Sequence, residues 1–352
     1  MIDDFSGRVV RWQRQQGRHD LPWQNSRDPY RVWLSEIMLQ QTQVSTVLGY
    51  FDRFLQRFPD VAALAAASQD EVLGLWSGLG YYSRARNLHA CAQQVAALHG
   101  GVFPRSAEVL CTLPGIGRST AAAIAAFCFD ERVAILDGNV KRVLTRALGQ
   151  GADLAVAAHE RALWDQATAL LPGAGQAADM PAYTQGLMDL GATVCTTRKP
   201  ACLLCPLQTV CRAAAEGDPE RYPVRTRRLK RRAEQWWLLL ALSPAGEVWL
   251  QQRPQKGIWA GLECLPVSDG ACSDLLAALP AQAAVQDLAP FVHVLTHRDL
   301  HLHPVLWHAP VGGSPALAGR WVGADAWPVL GLPAPVRKLL ESWAPQAQAA
   351  TA

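Results

Sequence analysis

Residues 113–144 read LPGIGRSTAAAIAAFCFDERVAILDGNVKRVL. The stretch follows Ser106-Ala-Glu-Val-Leu, a short helical segment. Pro114 stops that segment, and Gly115 and Gly117 let the backbone turn sharply before an alanine-rich helix begins at Ser119. The amides of Ile116 and Gly117 then fall at a helix N-terminus, which attracts a phosphate without reading any base. Pro-Gly-x-Gly also serves plain helical hairpins. The apolar Leu113 and Ile116, with a helix on each side, favour the nucleic-acid alternative. Twenty residues past Gly117, the apolar run Val133-Ala-Ile-Leu delivers Asp137 to the entrance of a helix starting near Val140. Asp137 is there either a turn or capping residue, or a carboxylate held towards whatever the hairpin grips.

A second carboxylate lies upstream. Asp28-Pro29 is an N-cap followed by proline at the first helical position, so a helix runs from Pro29 through Gln40. Glu36 sits inside it, and its neighbours at three and four residues are Val32, Trp33, Leu39 and Gln40. An apolar stripe desolvates the charged form and raises the pKa into the range of a general acid, unless the side chain reaches water. Two carboxylates in unlike surroundings suit hydrolysis of a glycosidic bond, one protonating the leaving group and the other facing an oxocarbenium-like sugar.

Of nine cysteines, Cys195, Cys202, Cys205 and Cys211 fall within 17 residues as C-x6-C-x2-C-x5-C. Four thiolates accept zinc, but zinc ribbons pair two CxxC knuckles. One CxxC flanked by single cysteines suits a cubane iron–sulfur cluster better. Such a site is closed by its ligands and fixes a loop, here one carrying Arg198, Lys199 and Arg212. The other cysteines lie among apolar residues and read as small core side chains. The longest apolar runs, Ala121–Phe129 and Trp236–Leu242, are far short of the about 20 residues of a spanning helix. A cytoplasmic protein without a signal peptide is expected.

The net charge of +3 hides an asymmetry. Residues 216–232 hold seven basic against three acidic residues, whereas 233–352 hold six against nine. The basic excess fits an N-terminal part that meets a polyanion, or else a solvated linker. Residues 1–215 read as helical. Residues 216–235, with two prolines and a basic run, read as an interdomain linker, and 236–345 as an α+β domain with a tail at 346–352. Within the last domain, Trp236–Leu242 and Glu247–Arg253 are expected strands joined by a turn, and Lys338 onward is helical.

The strings LPWQ (21–24), WLSEIMLQQTQV (33–44), GLGYYSRARNLH (78–89), LPGIGRSTA (113–121) and LDGNVKRVL (136–144), followed by the cysteine cluster, resemble the helix–hairpin–helix DNA glycosylase superfamily. The resemblance is closest to its MutY-type adenine glycosylases and covers nearly the whole chain. It implies a six-helix barrel over 22–132 with its hairpin at 113–117, and a cluster subdomain formed by 1–21 and 133–215 that holds one 4Fe-4S cluster. It implies Glu36 as the acid that protonates adenine and later activates water. Asp137 then stabilises the positive sugar, directly or through a covalent intermediate, and Asn139 assists. Leu21 and Trp23 fall in the adenine pocket. Gln41, Thr42, Leu79 and Tyr81 match positions that wedge into the duplex or touch the orphaned guanine, where a flipped base leaves a gap to fill. For Leu79 and Tyr81 core packing is the alternative. Gly115, Ile116, Gly117 and Ser119 match the DNA-anchoring hairpin. Endonuclease III-type relatives carry a nucleophilic lysine where this chain has Ser119, and serine forms no imine, so base removal without an efficient lyase step is expected.

Around QQRPQKGIWAGLECLP (251–266) the C-terminal domain resembles a Nudix or MutT-like fold. Glu263 lacks the downstream glutamates that would hold magnesium, so a binding module is expected. MutY-type relatives read 8-oxoguanine through a Phe-Ser-His turn, and the matching residues are Leu295, Thr296 and His297, the first a departure. His297, His301 and His303 suggest a metal, but partly alternating strand residues explain them as well. The resemblance therefore implies a monomeric repair enzyme on duplex DNA holding adenine opposite 8-oxoguanine or guanine. It implies a bacterial, nucleoid-associated setting, with the 216–235 linker as a docking candidate for repair or replication proteins. The competing readings are an endonuclease III-like glycosylase/lyase on oxidised pyrimidines and a non-catalytic iron–sulfur DNA-binding protein.

Overall fold

The computed structural model describes residues 4–24, 26–224, 226 and 231–349. Among them no helix is long and apolar enough to cross a membrane. The chain divides into two compact units. One comprises Met1–Phe51, Phe58–Ala65 and Ala90–Arg228, and the other Asp52–Arg57, Ala66–His89 and Leu229–Ala352.

The N-terminal region is helical: α1 (Phe5–Gln16), α2 (Pro29–Leu39), α3 (Val44–Arg57), α4 (Val61–Ala66), α5 (Gln69–Trp76), α6 (Ser83–His99), α7 (Ala107–Leu110), α8 (Arg118–Phe129), α9 (Gly138–Leu148), α10 (Ala157–Ala169), α11 (Met180–Asp189) and α12 (Arg212–Ala215). Local chemistry sets several of their starts. The Asp28 carboxylate accepts from Tyr30 N at 2.9 Å with Pro29 at N1, and Ser68 Oγ accepts from Glu71 N at 3.2 Å. In the first unit, Phe5, Val9 and Trp12 of α1 bury against α8, α9, α10 and α11 around Val140, Leu163 and Tyr183. The contact is close because residue 186 is glycine: a Cβ there would stand 2.7 Å from Val9 Cγ1. On the other side of α8, α2 buries Val32, Trp33, Leu34, Ile37 and Met38, and the Trp33 ring packs on Phe103 at 5.2 Å. Burial of so many large apolar side chains supplies the main driving force.

The second unit holds β1 (Arg232–Leu242), β2 (Val248–Gln252), β3 (Glu263–Cys264), β4 (Val267–Ser268), α13 (Cys272–Leu276), β5 (Val285–Asp287), β6 (Phe291–Val294), β7 (Arg298–His308), β8 (Arg320–Val322) and α14 (Ala334–Ala349). The sheet runs β3-β2-β1-β7-β5, with β4 on β1, β6 on β7 and β8 on β2. β1 and β7 are parallel in register from Arg232↔Arg298 to Leu242↔His308, and the other pairs are antiparallel. One face packs Leu239, Ala241, Trp249 and Trp307 against Leu275 and Leu279. Residues 66–89 belong to this unit. The Ser77 and Tyr82 hydroxyls donate to Leu332 O at 3.3 and 2.7 Å, and Arg86 donates to Ala260 O at 2.6 Å.

Two expectations shift. β1 begins at Arg232, so the last residues of the expected 216–235 linker are strand, fixed by pairing with β7 that no local pattern reveals. Within that linker Tyr222 is buried and donates to Glu216 at 2.8 Å, while residues 225 and 227–230 lie outside the described residues. Helix α14 continues through Ala349, so 346–349 extend the helix rather than forming a tail, and 350–352 lie outside the described residues.

Candidate active site and the β6–β7 turn

In the first unit, a cavity of about 1080 Å³ opens between α2, α8, α9, α11 and the 17–27 segment. Leu21, Trp23, Glu36, Gln41, Thr42, Ser119, Asp137 and Asn139 all line it, so residues scattered over more than a hundred positions converge. Trp23 is buried edge-on to Phe51 at 5.3 Å.

Glu36 points into this cavity from α2. Burial, and secondarily the charge of Asp137, pushes its carboxyl up to about 8. Asp137 caps α9, its Oδ1 accepting from Val140 N at 2.7 Å. The capping role and the cavity-lining role are thus one geometry. Burial raises its pKa, opposed by the Val140 and Asn139 amides and by the Arg142 and Lys141 charges. Lys141 itself is ion-paired with Glu160 of α10. The two carboxyls therefore differ in hydrogen bonding and in nearby cations, the asymmetry an acid and an anionic stabiliser need.

Asn139 is fixed from behind. Its Oδ1 accepts from Arg142 at 2.9 Å, and Arg142 also donates to Cys195 O at 2.7 Å and to Gly191 O. Residues Leu190–Val194 form a π turn, and a Cβ on Gly191 would lie 2.5 Å from Asn139 Cβ. Ser119 Oγ accepts from Leu136 N at 3.1 Å, tying α8 to the segment that delivers Asp137.

In the hairpin, Gly115 has φ 74° and Gly117 caps α8. Leu113 and Ile116 are buried anchors. The Ile116 amide donates to Leu113 O at 3.2 Å, closing the turn. Gln41, exposed at the end of α2, adopts φ 58°, a left-handed conformation rare for non-glycine residues and typical of functional loops.

The four clustered cysteines are free, half-buried thiols on consecutive short turns. Cys205 feels the charge of Cys195, Cys202 and Cys211, so the four face one another. Among the described residues, no three Cys, His, Asp or Glu side chains gather tightly enough for a single ion. Four thiols gathered on one loop are the donor set an iron–sulfur cluster takes, each thiolate binding its own metal. Buried Arg146 donates to Cys195 Sγ at 3.3 Å and to Thr196 O and Thr197 O, holding this loop on α9. Arg198 and Lys199 are exposed on it.

In the second unit, Leu295, Thr296 and His297 form the turn between β6 and β7, closed by Leu295 N donating to Arg298 O at 2.8 Å. Thr296 and His297 are exposed. Tyr81, 45% exposed with φ 48°, meets Thr296 Oγ1 through its hydroxyl at 2.7 Å. Leu79, two residues away, is buried. His303 stacks on Trp237 at 5.3 Å and bonds to Gln235, as a strand residue would. Glu263 is paired with Arg320 at 2.9 Å.

Sequence reasoning missed Arg18, Gln24, Arg142 and Gln185, which also line the cavity. A signal existed for Gln185, which stands four residues before Asp189 on one helix face.

Residues 34–166 match the HhH-GPD superfamily of base excision DNA repair proteins, and residues 237–342 match the NUDIX domain. The adenine DNA glycosylase of Buchnera aphidicola subsp. Acyrthosiphon pisum is 35% identical over 350 residues, covering 96% of this chain and 97% of the relative. The adenine DNA glycosylase of Homo sapiens is 43% identical over 228 residues, covering 62% of this chain and 41% of the relative. A thermostable thymine-DNA glycosylase structure covers 60% of this chain and 95% of its own at 29% identity and a TM-score of 0.54. An endonuclease III–DNA complex covers 60% and 94% at 19% identity and a TM-score of 0.50, a likeness of fold. With similarity running nearly end to end in both sequences, the chain belongs to the adenine DNA glycosylases of the HhH-GPD superfamily.

Proposed function

We propose that this enzyme hydrolyses the N-glycosidic bond of adenine in duplex DNA where adenine stands opposite 8-oxoguanine or guanine. The observation that carries the reading is Glu36, held protonated near neutral pH in a cavity it shares with the capped carboxylate Asp137. Glu36 gives its proton to the departing base. Asp137 faces the cationic sugar, and Asn139 braces the site. Water then adds to the sugar carbon and returns its proton to Glu36, restoring the acid. Leu21 and Trp23 wall the base pocket.

Gly115, Ile116, Gly117 and Ser119 anchor the strand at the α8 N-terminus. Gln41, Thr42, Leu79 and Tyr81 serve the opened duplex, and Leu295, Thr296 and His297 read the oxidised guanine. Cys195, Cys202, Cys205 and Cys211 hold one 4Fe-4S cluster, which when bound fixes the loop carrying Arg198 and Lys199 beside phosphate. Organisation follows a helical glycosylase region over 1–215, a connection over 216–231 and a strand-rich domain that begins with β1 at Arg232. The enzyme acts as a monomer in a bacterial cytoplasm at the nucleoid, with the basic connection available to repair or replication proteins.

Single-turnover base release tests this on four duplexes: adenine opposite 8-oxoguanine, opposite guanine and opposite thymine, and thymine glycol opposite adenine. Fast release from the first, slower from the second and none from the third is expected. Release of thymine glycol with strand nicking would move the chain to the endonuclease III-like reading.

A further inference from the structure

Residues 77–82 join α5 to α6, and the backbone there turns left-handed at Gly78 (φ 104°), Gly80 (φ 71°) and Tyr81 (φ 48°). Glycine takes that conformation freely, but a tyrosine keeps it only where its surroundings hold it. Arg84 of α6 supplies the hold. Its guanidinium donates to Leu79 O and to Gly80 O, each at 3.2 Å, and so grips the two carbonyls that precede Tyr81. The same guanidinium lies over the Tyr81 ring, 5.5 Å from its centroid, and over the Trp76 ring at 5.3 Å. Trp76 Nε1 also donates to Gly80 O at 3.1 Å. Arg84 is buried, which lowers its pKa to about 10 and leaves it charged at neutral pH. A cation shielded from water attracts a ring face more strongly than an exposed one. Held in this way, the Tyr81 hydroxyl meets Thr296 Oγ1 in the β6–β7 turn at 2.7 Å.

We infer that Arg84 is a positioning residue for discrimination between 8-oxoguanine and guanine, because it fixes the Tyr81 ring and, through the Tyr81 hydroxyl, the Thr296 side chain. Without the guanidinium, the carbonyls of Leu79 and Gly80 lose its donors and the Tyr81 ring loses its cation in one step. Nothing then opposes relaxation of Tyr81 out of its left-handed conformation. A ring free to turn meets both purines alike, and Thr296 loses its partner. The inference rests on the reading of Tyr81 and Thr296 as residues that serve the base opposite adenine.

The test is single-turnover release of adenine opposite 8-oxoguanine and opposite guanine, by wild type, Arg84→Met, Tyr81→Leu and the double variant. Methionine keeps an apolar filling between the two rings but has no donor, and replacing a buried ion by an apolar side chain of similar length is often tolerated. The 8-oxoguanine-to-guanine rate ratio should fall about tenfold in Arg84→Met. Loss of a merely structural contact would slow both substrates together and leave the ratio alone. In Tyr81→Leu the ring is already gone, so adding Arg84→Met should lower the ratio no further. A folded Arg84→Met protein with the wild-type ratio overturns the inference, and so does a ratio that falls again in the double variant. If Arg84→Met does not fold, Arg84→Lys, which keeps the charge but not the planar fork, decides by the same ratio. Wild type without preference for 8-oxoguanine would instead overturn the reading of Tyr81 and Thr296, and the inference with it.

Discussion

At the scale of single residues, Glu36 and Asp137 show how one chain makes two unlike carboxyls. Desolvation dominates at Glu36, while main-chain amides and two nearby cations oppose it at Asp137. The sign follows directly. A carboxyl raised to about 8 is a usable acid below that pH and loses its proton as pH rises through it. Single-turnover base release should hold up to about pH 7 and fall as Glu36 ionises. A rate still climbing beyond pH 8 would refute the assignment. Glu36→Gln should cost roughly 10²–10⁴-fold in base release while leaving duplex affinity intact, whereas a pure binding protein would lose nothing. Linkage has the same direction: stability tied to neutral Glu36 is present at low pH and lost as pH rises through about 8. Ser119 is committed to the Leu136 amide and cannot form an imine. Borohydride should therefore trap little protein on product DNA, and trapping as complete as in a true lyase would contradict the monofunctional reading.

At the scale of elements, what could be read from the sequence was what local chemistry decides. Asp28, Ser68 and Asp137 announce helix starts because a short polar side chain satisfies an orphan amide within three residues. The hairpin announces a turn because glycine alone takes a positive φ without a Cβ clash, as Gly115 does at 74°. What could not be read depended on partners far away in sequence. The parallel register of β1 with β7 joins residues more than sixty positions apart, and Arg142 reaches across fifty to Cys195. That the Ile116 amide closes the turn on Leu113 O could not be read either, because a bonded and a free amide look identical in sequence. The π turn after α11 gives the element-scale prediction. Gly191→Ala would drive a Cβ to 2.5 Å from Asn139, and the clash is between main-chain-anchored atoms that cannot swing aside. A cost of about 1–3 kcal/mol is expected by thermal unfolding. Base release should fall further than stability alone explains, because Asn139 must move. Equal activity per folded molecule would show that Asn139 needs no fixed position. In the β6–β7 turn, Thr296→Val should erode preference for 8-oxoguanine over guanine opposite adenine without slowing adenine release opposite guanine.

At the scale of the molecule, the division into units does not follow the chain's compositional seam. The basic run at 216–232 marks a change from helical to strand-rich sequence, yet residues 66–89 pack with the strand-rich part. The reason is stereochemical. Gly74 is so close to the main chain of Val329 that a Cβ would lie 2.2 Å from its carbonyl oxygen, and Gly331 is similarly tight against Leu73. Hydrogen bonds from Ser77, Tyr82, Arg86 and Arg337 then close the same surface, the last donating to Ser77 Oγ at 3.0 Å. A chain ending at Val224 would keep the Glu36 cavity residues and the four cluster cysteines, but would strip 66–89 of all these partners. At about 1 kcal/mol for each such bond, before any apolar exposure, the shortened protein should unfold several degrees earlier than the full chain. Proteolysis should begin within 66–89 rather than in the α8–α9 region. A shortened chain as stable as the full one, with 66–89 equally protected, would mean that this segment is held by the helical part alone.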